Sequence, residues 1–296
     1  MIDPISIPAV TEKAYAKLNI SLDVTARRED GYHEMAMIMQ TVSLCDDISI
    51  RPERGGAVRA NSNLPYVPGD ARNLAVRAAE GYLSRIGAEG VGLRIDIKKE
   101  IPVGAGMAGG SADAAAVLRA LNRAFGGRLT TAQLCEIGEK VGSDVAFCIR
   151  GGTMLATGRG EKLSPLPALP DCAFAICKPD FSISTPELFR KLDQVRLSCH
   201  PDTEGLIAAL SDGDVDGVCR RMYNVFEDVG DRRLRAVSAA KGALLDCGAL
   251  GAVMTGTGSA VFGVFRDLAA AEKACAELGG EYRFCRTAVC VPTLAD

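Results

Sequence analysis

Ile101-Pro102-Val103-Gly104-Ala105-Gly106-Met107-Ala108-Gly109-Gly110-Ser111-Ala112-Asp113 is a glycine-rich loop set between two elements of different periodicity. Upstream, Val91, Leu93, Ile95 and Ile97 alternate with Gly92, Arg94, Asp96 and Lys98, the period-two pattern of a half-buried strand. Downstream, an alanine-rich run carries Leu118, Leu121 and Phe125 at helical spacing and stops at Gly126-Gly127. A strand, a glycine loop and a helix N-terminus together make a phosphate site. Glycine lets the backbone come close, and the free N–H groups and dipole of the helix attract the anion.

Gly104, Gly106 and Gly109 match the dinucleotide fingerprint G-x-G-x-x-G, but that fingerprint needs a strand after the helix. Here a second helix follows, opened by the capping-box pattern of Thr130 and Gln133 and carried by Leu134, Ile137 and Val141. A Walker A loop needs Gly-Lys-Ser/Thr at its end, and Gly110-Ser111 has no lysine. A glycine loop of another kinase type remains, with its cation supplied from elsewhere in the chain; the bland alternative is a surface turn.

Working outward, residues 13–24 read as a strand. Ala14, Ala16, Leu18, Ile20, Leu22 and Val24 lie on one face, and Lys13, Tyr15, Lys17, Asn19, Ser21 and Asp23 on the other. Asp30-Gly31 reads as a hairpin turn, followed by a β run through Val42, Leu44, Ile48 and Ile50. Asn73 is placed to cap a helix carrying Leu74, Ala78, Tyr82 and Ile86. Gly142-Ser143-Asp144 leads into the apolar run Val145–Ile149, and a short β segment sits between Gly151-Gly152 and Gly158-Arg159-Gly160. The prolines of 165–170 mark a linker and divide the chain into domains 1–164 and 165–296. The second half reads as a strand at Cys172–Cys177, then a helix from Ser184 or Thr185. Helices follow near 203–210, 214–222 and 231–247. Strands at 250–254 and 260–265 flank a second glycine loop, Thr255-Gly256-Thr257-Gly258-Ser259, and a helix at 267–278 and a strand at 281–291 close the chain.

The 296 residues carry 34 basic and 37 acidic side chains, net −3, so no basic excess points to nucleic acid or a membrane surface. A hydrophobic content of 48% supports a sizeable core, and no apolar run approaches a membrane span. The 11 cysteines contain no C-x-x-C, and Cys172/Cys177 and Cys285/Cys290 are too widely spaced for a zinc ribbon. With His33 and His200 the only histidines, no structural zinc is expected. Scattered thiols suit a reducing cytoplasm, where they act as small hydrophobes. Asp3, Pro4, Glu12 and Lys13 interrupt any signal-peptide pattern. Nothing in the sequence indicates an oligomeric state or names metal ligands.

Several residues bear two readings. Lys17 and Asn19, two apart, are a cation and an amide suited to an acceptor and a phosphate; alternation alone favours an ordinary solvated face. Asp144 is a turn or cap residue, or a carboxylate that orients a hydroxyl. Tyr32-His33 is structural, or stacks on and hydrogen-bonds a nucleobase, with Phe189 on the helix begun by Thr185 as the other wall or as core. Gly256 and Gly258 face a diphosphate or make a tight turn. Ser111 is a metal or phosphate ligand, or a helix cap. Lys98-Lys99 reads as a solvated pair.

Three motifs in order across the chain resemble those of the GHMP kinases: Ala16-Lys17-Leu18-Asn19, Pro102–Ser111 and Thr255-Gly256-Thr257-Gly258-Ser259-Ala260-Val261-Phe262. Arg27-Arg28-Glu29-Asp30-Gly31-Tyr32-His33-Glu34 resembles the cytidine-handling branch, and Gly142-Ser143-Asp144-Val145 and Asn224-Val225-Phe226-Glu227 also fit. The resemblance implies an α+β, two-domain fold: an N-terminal ribosomal-protein-S5-like ATP-binding domain and a C-terminal ferredoxin-like α/β sandwich, with the active site in the cleft between them. It implies ATP as co-substrate with Mg²⁺, bound at Pro102, Val103, Gly104, Ala105, Gly106, Met107, Ala108, Gly109, Gly110, Ser111 and Ala112. It implies Lys17 and Asp144 as the catalytic pair, and Asn19, Tyr32, His33, Thr185, Phe189, Gly256 and Gly258 toward a small-molecule substrate with a cytidine diphosphate moiety. The implied reaction is phosphoryl transfer to the 2-hydroxyl of a diphosphocytidyl-methylerythritol in the non-mevalonate route to isoprenoid precursors. Ala146 stands where the family often has proline, and Met107 where leucine is usual; neither removes a charge or a donor, so activity is expected to survive.

Overall fold

Val10–Arg27 (β1) and His33–Glu53 (β2) form one long antiparallel hairpin in the structure, a computed structural model that describes residues 8–295. The expected turn is there. Gly31 has φ +83°, which a Cβ disfavours, and the Arg28 N–H donates to the Tyr32 carbonyl at 2.8 Å. The ladder shifts register at Tyr15/Lys17, Asn19/Ser21 and Val24/Ala26, irregularities that bend and re-aim a strand. Both neighbours of the glycine loop also form: β4 (Gly92–Lys98) pairs with β2, and α2 covers Gly109–Ala124. A strand not anticipated, β3 (Val58–Ser62), lies parallel to β4. β5 (Thr153–Gly158) pairs with β2, and β6 (Lys162–Pro165) with β5.

α1 (Leu74–Arg85) starts where Asn73 accepts a hydrogen bond from the Ala75 N–H, and α3 (Thr131–Val141) starts at the Thr130–Gln133 capping box. The apolar run after Asp144 forms a short helix, α4 (Val145–Arg150). α2 lies against β1 and β2, with its alanines buried where the helix comes closest.

The second sheet holds β7 (Ala173–Lys178), β9 (Gly251–Met254), β10 (Val261–Phe265) and β11 (Phe284–Val289), all antiparallel in the order β11-β7-β10-β9. Four strands in the spatial order fourth, first, third, second make the ferredoxin-like arrangement. α5 (Thr185–Leu192), α6 (Thr203–Ser211), α7 (Val215–Arg220) and α8 (Leu234–Asp246) fill the first crossover, and α9 (Leu268–Leu278) the second. The halves interlock. β8 (Tyr223–Asn224) pairs in parallel with β1, and bridges join Val42 to Cys290 and Gly151 to Thr293. Among the described residues no helix is long and apolar enough to cross a membrane. The reading through Asp3 and Pro4 lies outside the described residues.

Candidate active site

The loop between β4 and α2 turns through Gly104 (φ +65°), Gly106 (φ +75°) and Ala108 (φ +57°). Ala108 is the residue before the helix, and no side chain caps it. Ser111 is therefore not the cap; it sits in the first turn, on the cleft wall. The first intrahelical bond runs from the Ala112 N–H to the Ala108 carbonyl at 2.8 Å, which leaves the N–H groups of Gly109, Gly110 and Ser111 for a ligand. Ala112 departs from the expected binding run. Its N–H is spent on the helix, and its side chain is buried in the core away from the cleft.

A buried triad anchors this loop. Lys99 Nζ donates to Asp46 and to Asp113 (2.8 Å), while Asp46 Oδ1 accepts the N–H groups of Glu100 and Ile101. Lys99 is thus no solvated partner of Lys98. Burial opposes its charge, yet the carboxylates of Asp113 and Asp46 hold its pKa above the ordinary lysine value. Burial, opposed by Lys99, pushes Asp113 up to about 8. Strand alternation puts Lys99 in phase with Leu93, Ile95 and Ile97 and Lys98 with Arg94 and Asp96, but the Asp46 carboxylate that pairs with Lys99 lies 53 residues away in sequence.

From Lys17 to Asp23 the polar face of β1 is also buried, against the reading from alternation, while Lys13 stays exposed. Lys17 is only 4% exposed and Asn19 fully covered. The covering comes from distant segments: the Lys17 N–H donates to the Met107 carbonyl (3.3 Å), and the Asn19 N–H to Thr255 Oγ1 (3.0 Å). Lys17 Nζ donates to Asn19 Oδ1 and lies 4.0 Å from Asp144 Oδ2. Burial lowers the Lys17 pKa, with Asp144 opposing. Asp144 precedes α4 but makes no capping hydrogen bond, so its carboxylate faces the cleft beside an ammonium. Asn19 stands behind Lys17 rather than on the cleft wall, and its Nδ2 has no partner among the described residues.

At the other end of the cleft Tyr32, His33, Thr185 and Phe189 come together. The His33 and Phe189 rings stack, centroids 4.7 Å apart and 27° between planes, and Phe189 meets Phe226 edge-on at 4.9 Å. Two neighbours were not foreseen. Asp193 Oδ1 lies 2.7 Å from His33 Nε2, and the Arg159 guanidinium lies 4.9 Å over the Tyr32 ring. Thr185 Oγ1 meets Thr257 Oγ1 at 2.9 Å, linking α5 to the second glycine loop.

That loop packs backbone to backbone on the first. A Cβ at Gly106 would strike the Thr255 carbonyl, and one at Gly256 (φ +56°) would lie 2.8 Å from the Gly106 carbonyl oxygen. Thr255 Oγ1 donates to the Gly106 carbonyl at 3.2 Å. Behind the loop, Asn224 Nδ2 donates to the carbonyls of Met254 and Gly256 (2.8 Å each), and Glu227 Oε1 accepts the Met254 N–H (2.9 Å). The Asn224-Val225-Phe226-Glu227 segment thus holds the loop in place. Gly256 and Gly258 both reach the cleft.

The two glycine loops, Lys17, Asp144, Tyr32, His33, Thr185 and Phe189 border one cleft of about 1100 Å³, which Tyr66, Val67 and Leu74 extend beyond the residues expected from sequence. It offers N–H donors at a helix start, an ammonium–carboxylate pair, and an aromatic end with a histidine. That set suits a nucleotide phosphate, a hydroxyl acceptor and a planar ring. Among the described residues no group of three or more His, Cys, Asp or Glu is arranged to hold a metal.

Residues 73–152 match the family described as GHMP kinases N terminal domain, and residues 206–283 match GHMP kinases C terminal. A 4-diphosphocytidyl-2-C-methyl-D-erythritol kinase of Clostridium botulinum (strain Eklund 17B / Type B) is 41% identical over 270 residues, 91% of this chain and 96% of that protein. One from Clostridium perfringens is 43% identical over 272 residues, 92% of this chain and 94% of that protein. A crystal structure of a 4-(cytidine 5'-diphospho)-2C-methyl-D-erythritol kinase superposes with a TM-score of 0.79 at 32% identity, covering 95% of this chain and 99% of that one. Mevalonate kinase of L. major superposes with a TM-score of 0.74 at 17% identity over the full length of both chains, a likeness of fold alone.

Proposed function

This chain belongs to the 4-diphosphocytidyl-2-C-methyl-D-erythritol kinases, within the GHMP kinases, and we propose that it transfers the γ-phosphoryl group of ATP to the 2-hydroxyl of 4-diphosphocytidyl-2-C-methyl-D-erythritol. The step belongs to the non-mevalonate route to isoprenoid precursors. One juxtaposition carries the reading: the Lys17–Asp144 pair shares a cleft with the glycine phosphate loop and with the Tyr32–His33–Phe189 end.

The first loop and the N–H groups of Gly109, Gly110 and Ser111 hold the ATP phosphates, and the start of α2 favours their charge. Asp144 accepts a hydrogen bond from the acceptor hydroxyl and takes its proton as the new O–P bond forms. Lys17 faces the charge that develops on the transferring group, at a site where burial strengthens that attraction. The lowered lysine pKa is the cost of the same burial. Tyr32 and Phe189 flank the cytosine. His33, fixed by Asp193, supplies the polar contact that separates a cytidyl compound from substrates without a base.

A cleft that offers the Ser111 hydroxyl and the Asp144 carboxylate beside the phosphate loop suits Mg²⁺, which prefers a few oxygens together with nucleotide phosphates over an all-protein cage. The Ser111 hydroxyl, on the cleft wall in the first turn of α2, would give one ligand. Bound there, the ion would neutralise charge on the β- and γ-phosphates. A division near residue 165 is supported by β6 ending at Pro165 on the first sheet and β7 opening the second. The 11 free thiols fit a cytoplasmic enzyme.

A coupled assay of ADP release with MgATP tests the function against four acceptors: the cytidyl compound, homoserine, mevalonate and galactose. Release with the cytidyl compound alone is expected. Release only with another acceptor overturns the substrate and keeps the kinase.

A further inference from the structure

Two segments left aside by the kinase chemistry share one spacing: Cys172-Ala173-Phe174-Ala175-Ile176-Cys177 and Cys285-Arg286-Thr287-Ala288-Val289-Cys290. The fold lays them antiparallel as β7 and β11, with Cys285 opposite Cys177 and Val289 opposite Ala173. The same register, carried one residue further, sets Cys290 opposite Cys172. Four of the 11 cysteines therefore face each other in two cross-strand pairs at the ends of one ladder. Cys177 Sγ and Cys285 Sγ are 3.2 Å apart. At the other end, the Cys290 thiol facing it, together with burial, raises the Cys172 thiol far above its ordinary pKa.

Directly opposed residues of an antiparallel pair have Cα atoms about 4.5–5.5 Å apart, inside the disulfide window of about 4.4–6.8 Å. The two cysteines of each segment are five residues apart, so the pairs fall on opposite faces of the sheet and form two separate sites.

We propose that β7 and β11 carry two reversible disulfide sites, Cys177–Cys285 and Cys172–Cys290, which close under a low-molecular-weight disulfide such as oxidised glutathione. Cys290 is the more open member of its pair and Cys172 is buried. The Cys290 thiolate attacks glutathione disulfide and releases one glutathione thiol. Cys172 then loses its proton, attacks Cys290 Sγ in the mixed disulfide and expels the second glutathione. Two S–H bonds are lost and one S–S bond forms, while two electrons convert one glutathione disulfide into two thiols.

At the Cys177–Cys285 end, Cys275 on α9 neighbours Cys285 and is the least buried thiol of the cluster. Cys275 attacks glutathione disulfide and releases one glutathione thiol; Cys285 then attacks Cys275 Sγ, forms a Cys275–Cys285 bond and expels the second glutathione. Cys177 then attacks Cys285 Sγ, closes the bridge and regenerates the Cys275 thiol. The Cys285 thiol is pushed up to about 12, chiefly by its contact with Cys177, so closure is slow at neutral pH and quickens as pH rises.

The positions give the bridges a consequence. β11 is the edge strand of its sheet. Cys290 also bridges Val42 of β2, and Cys172 follows the proline linker of 165–170. The Cys172–Cys290 bond would therefore tie together two of the crossings between the halves.

The test uses the full chain, reduced, desalted and incubated with oxidised glutathione, then alkylated under denaturing conditions and digested with trypsin. Cys172 and Cys177 share peptide 163–190, because trypsin does not cut Lys178–Pro179; Cys285 lies in 284–286 and Cys290 in 287–296. The expected map links 163–190 to both of the other peptides, with four of the 11 thiols lost and recovered by dithiothreitol. Cys172→Ser should lose only the link to 287–296, and Cys177→Ser only the link to 284–286. Glutathione adducts without links, links scattered among the other cysteines, or 11 intact thiols after prolonged oxidation would each overturn the proposal. The wild-type map decides by itself if a serine variant fails to fold.

Discussion

Gly106→Ala should damage catalysis far more than Gly126→Ala does, and the comparison isolates why. Both glycines are left-handed, φ +75° and +80°, so alanine costs about 1–2 kcal/mol of backbone strain at either. Around Gly126 a Cβ meets nothing within 4 Å. At Gly106 it meets the Thr255 carbonyl oxygen, a backbone atom that cannot swing aside. To restore a contact near 3 Å the two glycine loops must part by roughly 1 Å, and a misplacement of that size costs on the order of 100-fold in rate. That is about 2.7 kcal/mol of transition-state stabilisation. We therefore expect Gly126→Ala to lower the unfolding free energy by about 1–2 kcal/mol with kcat/KM near wild type. Gly106→Ala should show a similar or larger loss of stability and a roughly 100-fold fall in kcat/KM. Denaturant melts and steady-state kinetics on both variants decide. A Gly106→Ala enzyme that keeps wild-type kcat/KM refutes the reasoning that backbone contact between the loops sets the site.

Asp144→Asn should lower kcat by about 10²–10⁴-fold with the KM for ATP nearly unchanged; equal loss of nucleotide binding, read by calorimetry, would make Asp144 structural instead. His33→Ala, and more mildly Asp193→Asn, should raise the KM for the cytidyl substrate and spare that for ATP, and parallel rises in both would remove the base from this end of the cleft. Lys17→Met should abolish most turnover yet leave the unfolding free energy at pH 7 within about 1 kcal/mol of wild type or above it, because a buried ammonium carries a desolvation penalty that methionine does not. The pH dependence has a definite sign. Lys17 binds its proton more weakly folded than unfolded, so the unfolded chain holds more protons between the lowered value and the ordinary one. Wild-type stability relative to Lys17→Met should therefore rise with pH through that window, and a fall there would contradict the burial argument.

Local chemistry wrote much of this protein into its sequence. The strand–glycine loop–helix unit, the Asp30-Gly31 hairpin, the Asn73 cap and the Thr130–Gln133 box were all legible, because each is settled by φ preference, alternation or one side chain reaching a nearby N–H. The motifs around Lys17, Asp144 and the two glycine loops were legible as types and order. Tertiary structure alone decided what became of them. Lys17 and Asn19 sit on a face that alternation assigns to solvent, and they are buried only because Met107 and Thr255 fold over them. Lys99 continues the inward phase of Ile95 and Ile97, but its charge partners Asp46 and Asp113 come only with the fold. Asp193 reaches His33 across 160 residues, and the two C-x₄-C segments meet only when β11 joins the edge of β7. A sequence window of a few residues carries the period of an element and the chemistry of its ends. Which polar side chain is desolvated, and by which partner, depends on contacts between segments far apart in the chain, and those exist only once the two sheets have packed.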